Sequence, residues 1–133
     1  MLLNYDKGRK RDSFTMDRKA SHDLIAAEIL IQANLLILDI ACFHCQQAVE
    51  KYLKSFLVYH NRDFIFTHNL EYLAQKCSEI DTDFSDLDMQ NLTLYAVRAR
   101  YPHDHVTPEL LETTAYYQIA SDIKGLVLSK LFL

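Results

Sequence analysis

The sequence predicts an all-α fold, an antiparallel up-and-down bundle of four to five helices, on three observations. Half of the 133 residues are apolar, enough for the core of one domain without disulfides or structural metal. Gly and Pro occur only twice each, too few turn formers for many short strands joined by tight turns. Apolar residues recur every three or four positions along several segments, the period of a helix with one buried face.

The first helix is expected to begin near Asp17 to Ser21 and to reach about Asn34, with Leu24, Ile25, Ile29, Leu30 and Ala33 as its apolar positions. Ahead of it, residues 1–16 read as a basic, partly disordered arm and residues 17–133 as the helical domain, since termini fray unless tied down. The second helix is the clearest. Ile40, Ala41, Cys45, Ala48, Val49, Tyr52, Leu53, Phe56 and Leu57 form one broad stripe, with Asp39 as the expected N-cap. Gln47, Glu50, Lys51 and Lys54 fill the other face, and Glu50 with Lys54 has the favourable acid-then-base i, i+4 order.

A short third helix over about 69–77 turns Leu70, Leu73, Ala74 and Cys77 inward, with Thr67 or His68 at its entrance. Asp81 to Asp86 reads as a loop, and Ser85 with Asp88 reads as a capping pair opening a fourth helix that carries Leu87, Leu92, Tyr95 and Ala96. The last helix has three start signals, Thr107 as N-cap, Pro108 at the first position and Glu109 in the first turn. It continues through Leu111, Ala115, Ile119, Ile123, Leu126 and Val127 to about Leu131. Gly125 inside it costs about 1 kcal/mol against Ala unless close packing needs the missing side chain.

Composition narrows the function classes. Met1 to Asn4 lacks the apolar run of a secretory signal, and the longest apolar candidate, Leu35 to Ile40, is interrupted by Asp39. A soluble, cytoplasmic protein without a membrane partner is expected. Three cysteines make neither a disulfide framework nor a four-ligand zinc site. Cys42-Phe-His-Cys45 lies in an apolar helix, where free cysteine behaves as a small hydrophobe, so no metal and no cofactor are expected. Residues 1–20 carry six basic side chains against three acidic ones, and the other 113 residues sum to −7 in a chain of −4. So acidic a body has no broad basic face for nonspecific nucleic acid, and any RNA contact must be local.

The chemistry concentrates in Tyr95-Ala-Val-Arg-Ala-Arg-Tyr-Pro-His-Asp-His105. Arg98 and Arg100 are permanent cations with a fork suited to phosphate, and His103 and His105 exchange protons near neutral pH. Pro102 stops the helix at Tyr101, so Arg98 can ride its last turn while His103 returns from the following loop. The plain alternative is a helix C-terminus whose cations face the negative end of the dipole.

The run Ala41-Cys-Phe-His-Cys-Gln-Gln-Ala-Val-Glu-Lys-Tyr-Leu-Lys-Ser55, then Thr67-His-Asn-Leu70, then Arg98-Ala-Arg-Tyr-Pro102 and a long final helix, resembles the HEPN domain in order and spacing over about residues 20–131. The resemblance implies a homodimeric helical bundle, often encoded beside a small nucleotidyltransferase, and many such domains are metal-independent ribonucleases of toxin–antitoxin systems. It implies Arg98 and His103 as a catalytic pair, with Arg100 and His105 repeating the spacing. Ala99 stands where catalytic members usually carry a polar residue, and His105 where many carry Tyr.

Two classes of function follow. One is a binding module that pairs with itself and with a nucleotidyltransferase and holds nucleotide or RNA phosphate at Arg98 and Arg100, aided by Tyr101, His105 and Lys51. The other is an RNA endonuclease in which the ribose 2′-hydroxyl attacks its own phosphate, with His103 as general base or acid and an arginine on the phosphorane.

Overall fold

The structure, a computed structural model, describes residues 2–33, 35–98 and 108–131, with the side chains of residues 2–8, Leu35 and Arg98 outside the description. All regular structure among these residues is helical. The elements are α1 (Leu2–Ala33), a 3-10 turn at Leu35–Ile37, α2 (Leu38–Tyr59), α3 (Leu70–Ser78), 3-10 turns at Thr82–Phe84 and Leu92–Leu94, α4 (Tyr95–Arg98) and α5 (Leu110–Leu131).

The first helix starts at Leu2 rather than near Asp17 to Ser21, so the basic stretch is its N-terminal half. The reason is a buried face that apolar periodicity misses. Ser13, Asp17, Ala20, Leu24 and Ala27 recur every three or four residues, and all five are buried. The Ser13 hydroxyl donates to the Ser55 carbonyl at 3.0 Å, and the Ser55 hydroxyl donates to Asp17. Ile25 and Ile29, expected inside, face outward.

Contacts along α1 and α2 run in opposite order, from Arg9 with the Val58 carbonyl through Ser13 with Ser55 to Asp23 with His44, so the two helices are antiparallel. α2 is the central element and packs against α1, α3, α4 and α5. It has no side-chain N-cap. Ile37 precedes it, and Asp39 sits one position inside, still in the first turn, where a carboxylate suits the helix dipole.

Asn69 caps α3 by accepting from the Tyr72 amide at 3.0 Å, and Thr67 accepts from the Asn69 amide at 3.0 Å. The fourth helix does not open at Ser85. Instead the Asp88 carboxylate accepts from the Gln90 amide at 3.0 Å in a local turn, and Gln90 adopts φ 52°, which no helix continues. Only four residues, Tyr95–Arg98, then form α4. Phe84, in the turn at Thr82–Phe84, is buried against Phe56 with ring centroids 4.5 Å apart.

α5 starts beside the start of α2, where the Cys42 thiol donates to the Thr113 hydroxyl at 3.5 Å. At its far end Lys130 pairs with Asp81 at 3.0 Å and with Asp83, beside the turn that packs on Phe56. It therefore runs in the sense of α2 and against α1. Its buried residues are Thr113, Tyr116, Ala120, Ile123, Val127 and Leu131, a face rotated from the expected one, and Leu111 is 83% exposed.

Candidate functional site

Pro102 and its neighbours join α4 to α5. Arg100, Tyr101, His103 and His105 lie outside the described residues, as does the expected cap Thr107, and Arg98 is placed only as the last residue of α4. What the structure describes is the frame holding the two ends of that segment.

The frame centres on Glu112, in the first turn of α5. Its Oε1 accepts from the Tyr116 hydroxyl at 3.0 Å and, more weakly, from the Tyr95 hydroxyl at 3.4 Å. The two tyrosine rings meet edge to face with centroids 5.4 Å apart, and both side chains are buried. One carboxylate thus ties the start of α4 to the start of α5. Burial pushes the Tyr116 hydroxyl well above its ordinary range, and the neighbouring Glu112 charge adds to that, so Tyr116 is a neutral donor here. The same surroundings reach Cys42, whose thiol is pushed up to about 11, by burial first and by Glu112 and Asp39 in part. Cys45 is raised further by burial, so the C-x-x-C pair is protonated and packed, as an apolar helix dictates.

A second polar cluster lies on α2. Gln46 and Glu50 are buried, and Glu50 accepts from Gln46 at 3.2 Å, from Lys54 at 3.2 Å and from His68 Nδ1 at 2.7 Å, with its roles set by the His68 tautomer. Gln46 also donates to the His68 carbonyl at 3.2 Å. The Thr67-His-Asn-Leu70 segment is thereby fastened to α2, and the Leu70 amide donates to Thr93, one turn before α4. Gln46 was legible only as one polar residue among several. The signal was the i, i+4 column Gln46, Glu50, Lys54, which aligns three polar side chains on one helix row.

Lys51 points to α1. It pairs with Asp23, which also meets His44 Nδ1 at 2.8 Å, so the Lys51 charge is already balanced by a carboxylate. His60 packs at a tilt against Phe56 with centroids 4.5 Å apart. Among the described residues no three His, Cys, Asp or Glu side chains converge in the manner of a metal site, and no helix is long and apolar enough to cross a membrane.

A family model described as the HEPN domain matches residues 16–128. No curated protein and no solved structure gives a significant match. The matched span runs from the turn of α1 that bonds Ser55 to the last turns of α5 and includes both polar clusters. On that match, over most of its length and over a helical bundle built around α2, the chain belongs to the HEPN domain family.

Proposed function

We propose that this HEPN bundle is a toxin–antitoxin-type module that pairs with a second copy and with a nucleotidyltransferase partner, and that holds nucleotide or RNA phosphate at Arg98 and Arg100. Tyr101 and His105 complete that surface, whereas Lys51, paired with Asp23 on α1, is left out of it. The observation that carries the reading is the position of Arg98. It ends a helix whose first residue, Tyr95, is tied through Glu112 to the first turn of α5, so the segment bearing both arginines springs from a frame fixed at each end. A guanidinium fork suits bidentate phosphate binding.

Exposed apolar residues support the dimer. Leu94 and Val97 flank the segment on one side and Leu110 and Leu111 on the other, all of them exposed. Apolar and aromatic side chains beside a functional segment fit an interface core. Light scattering at micromolar concentration is expected to give a dimer, and a monomer would count against this reading. Replacing Arg98 by Lys keeps the charge but removes the fork, so nucleotide or RNA affinity is expected to fall by roughly 1–3 kcal/mol with the fold retained. A larger loss for Arg100→Lys, with none for Arg98→Lys, would move the site to Arg100 and His105.

The Arg98-x4-His103 spacing favours a second reading, metal-independent RNA cleavage. His103 would take the proton of the ribose 2′-hydroxyl, the 2′-oxygen would bond to phosphorus, and the bond to the 5′-oxygen would break as the His103 imidazolium returns that proton to it, leaving a 2′,3′-cyclic phosphate and a free 5′-hydroxyl. Arg98 would offset the charge gathered on the phosphorane. His103→Ala is expected to abolish cleavage while a chelator leaves it intact. Cleavage that survives the loss of His103 would sink this mechanism.

A further inference from the structure

Phe66, in the connection between α2 and α3, is 87% exposed, more than any other large apolar side chain among the described residues. Phe64 beside it packs on the core, while Ile65, at 63% exposure, also faces outward. One exposed phenyl ring means little by itself, since folded surfaces carry many apolar atoms. What sets this ring apart is that its surroundings are fixed.

The backbone on either side is tied down. The Ile65 amide donates to the Tyr72 hydroxyl at 3.2 Å, and the His68 carbonyl accepts from the buried Gln46 at 3.2 Å. The ring has two neighbours. The Lys54 ammonium lies over it, 5.5 Å from the centroid and within cation–π range, and Lys54 is in turn held by the buried Glu50. The His68 ring meets it edge to face with centroids 5.6 Å apart, and Glu50 also holds His68 at Nδ1. One buried carboxylate thus positions both side chains that flank the ring, while most of the ring's surface stays in solvent. A flat apolar group fixed in this way loses little freedom when a second flat group settles on it.

We propose that Phe66 is a stacking platform for a nucleobase, carried by a nucleotide or by a single RNA strand. Two observations favour a base over a protein partner. Ile65 and Phe66 stand among the polar Arg62, Asp63, Thr67 and Asn69, too few for an interface core, since a stable protein interface buries about 800 Å² on each partner. Residues 21–133 sum to −7, so this body attracts few phosphates, and stacking on an uncharged ring is the contribution that needs no basic surface. The platform also lies close to α4. The Leu70 amide donates to Thr93, two residues before Tyr95, and Phe66 is four residues before Leu70, at most about 14 Å of chain. A strand with a phosphate at Arg98 thus has a base-sized surface nearby. The inference rests on the proposed function in taking nucleotide or RNA as the ligand.

The test is fluorescence anisotropy of a labelled oligoadenylate on the full chain across a salt titration, with helicity by circular dichroism as the folding control. Phe66→Ala is expected to weaken binding roughly ten-fold. The slope of log affinity against log salt should not change, because no phosphate contact is removed. The chain has no tryptophan, so Phe66→Trp places a single reporter at the platform. That variant is expected to bind at least as tightly as wild type, with its emission quenched as oligoadenylate is added. Quenching by AMP as well assigns a free nucleotide, and quenching by oligoadenylate alone assigns a strand. Arg98→Lys separates the platform from the phosphate site. Loss in Phe66→Ala with none in Arg98→Lys supports the platform and removes Arg98 from phosphate binding, while the reverse overturns the platform and leaves the Arg98 site. Unquenched emission from Phe66→Trp, or a wild type that binds neither probe, overturns the platform. A change of mass in light scattering for Phe66→Ala with RNA binding unchanged would make the loop a protein interface and overturn the base assignment.

Discussion

Glu112 shows how one side chain carries both packing and placement. Its Oε1 is the acceptor for two buried tyrosine hydroxyls on different elements, and a buried donor left without an acceptor costs its full desolvation. Glu112→Ala is therefore expected to lower stability by roughly 1–3 kcal/mol in urea unfolding, and Glu112→Gln, which keeps one acceptor oxygen, by less. Equal midpoints for Glu112→Ala and wild type would refute the role. Asp17 makes a prediction of opposite sign. Its carboxyl is buried with one oxygen bonded by Ser55 and the other without a partner, and burial raises it above the ordinary 3.8 despite that bond. The folded state then holds the proton more tightly than the unfolded chain. The contribution is full below 3.8 and is lost as pH rises through the raised value. Asp17→Asn should gain stability over wild type progressively as pH rises above the ordinary carboxyl value of 3.8. A difference between the two proteins that does not change with pH would refute this.

At the scale of elements, Gly125 allows a direct test of helix propensity. An added Cβ there would meet nothing within 4 Å, so no close packing needs the glycine. Gly125→Ala is expected to stabilise α5 by about 1 kcal/mol, read as a higher thermal midpoint, and an unchanged or lowered midpoint would show that the site is not open. α3 depends on its cap. Asn69→Ala removes the acceptor of the Tyr72 amide and should cost about 1 kcal/mol, whereas Asn69→Asp should retain most of it. The elements also differ in how far their sequence announces them. α2 is surrounded by partners, so its apolar stripe is dense and its extent was legible. The N-terminal half of α1 buries Ser13, Asp17 and Ala20, small or polar residues that no hydrophobic period registers, and it was expected to be an arm. The fourth helix failed for another reason. Ser85 and Asp88 have the spacing of a cap, but Asp88 spends its carboxylate on Gln90, and a left-handed Gln90 ends any helix there.

For the whole molecule, the class of fold and the family followed from the order of segments: a helix rich in apolar residues, Thr67-His-Asn-Leu70, the Arg-rich segment and a long final helix. These are local properties, since period, caps and the prolines act within a few residues. The proposed site rests on local sequence as well, because Arg98, Arg100, His103 and His105 lie close together in the chain. The sequence by itself thus determined an all-α chain with two arginines and two histidines gathered in one segment. Tertiary structure alone decided what ties the two flanks of that segment together and which described charges are paired. Glu112 meets Tyr95 across 17 positions, Ser55 meets Asp17 across 38, and Lys51 meets Asp23 across 28. Separations of that size leave no periodic mark, because the partner of a polar side chain is set by how helices pack, and packing is a property of the bundle rather than of any one of its helices.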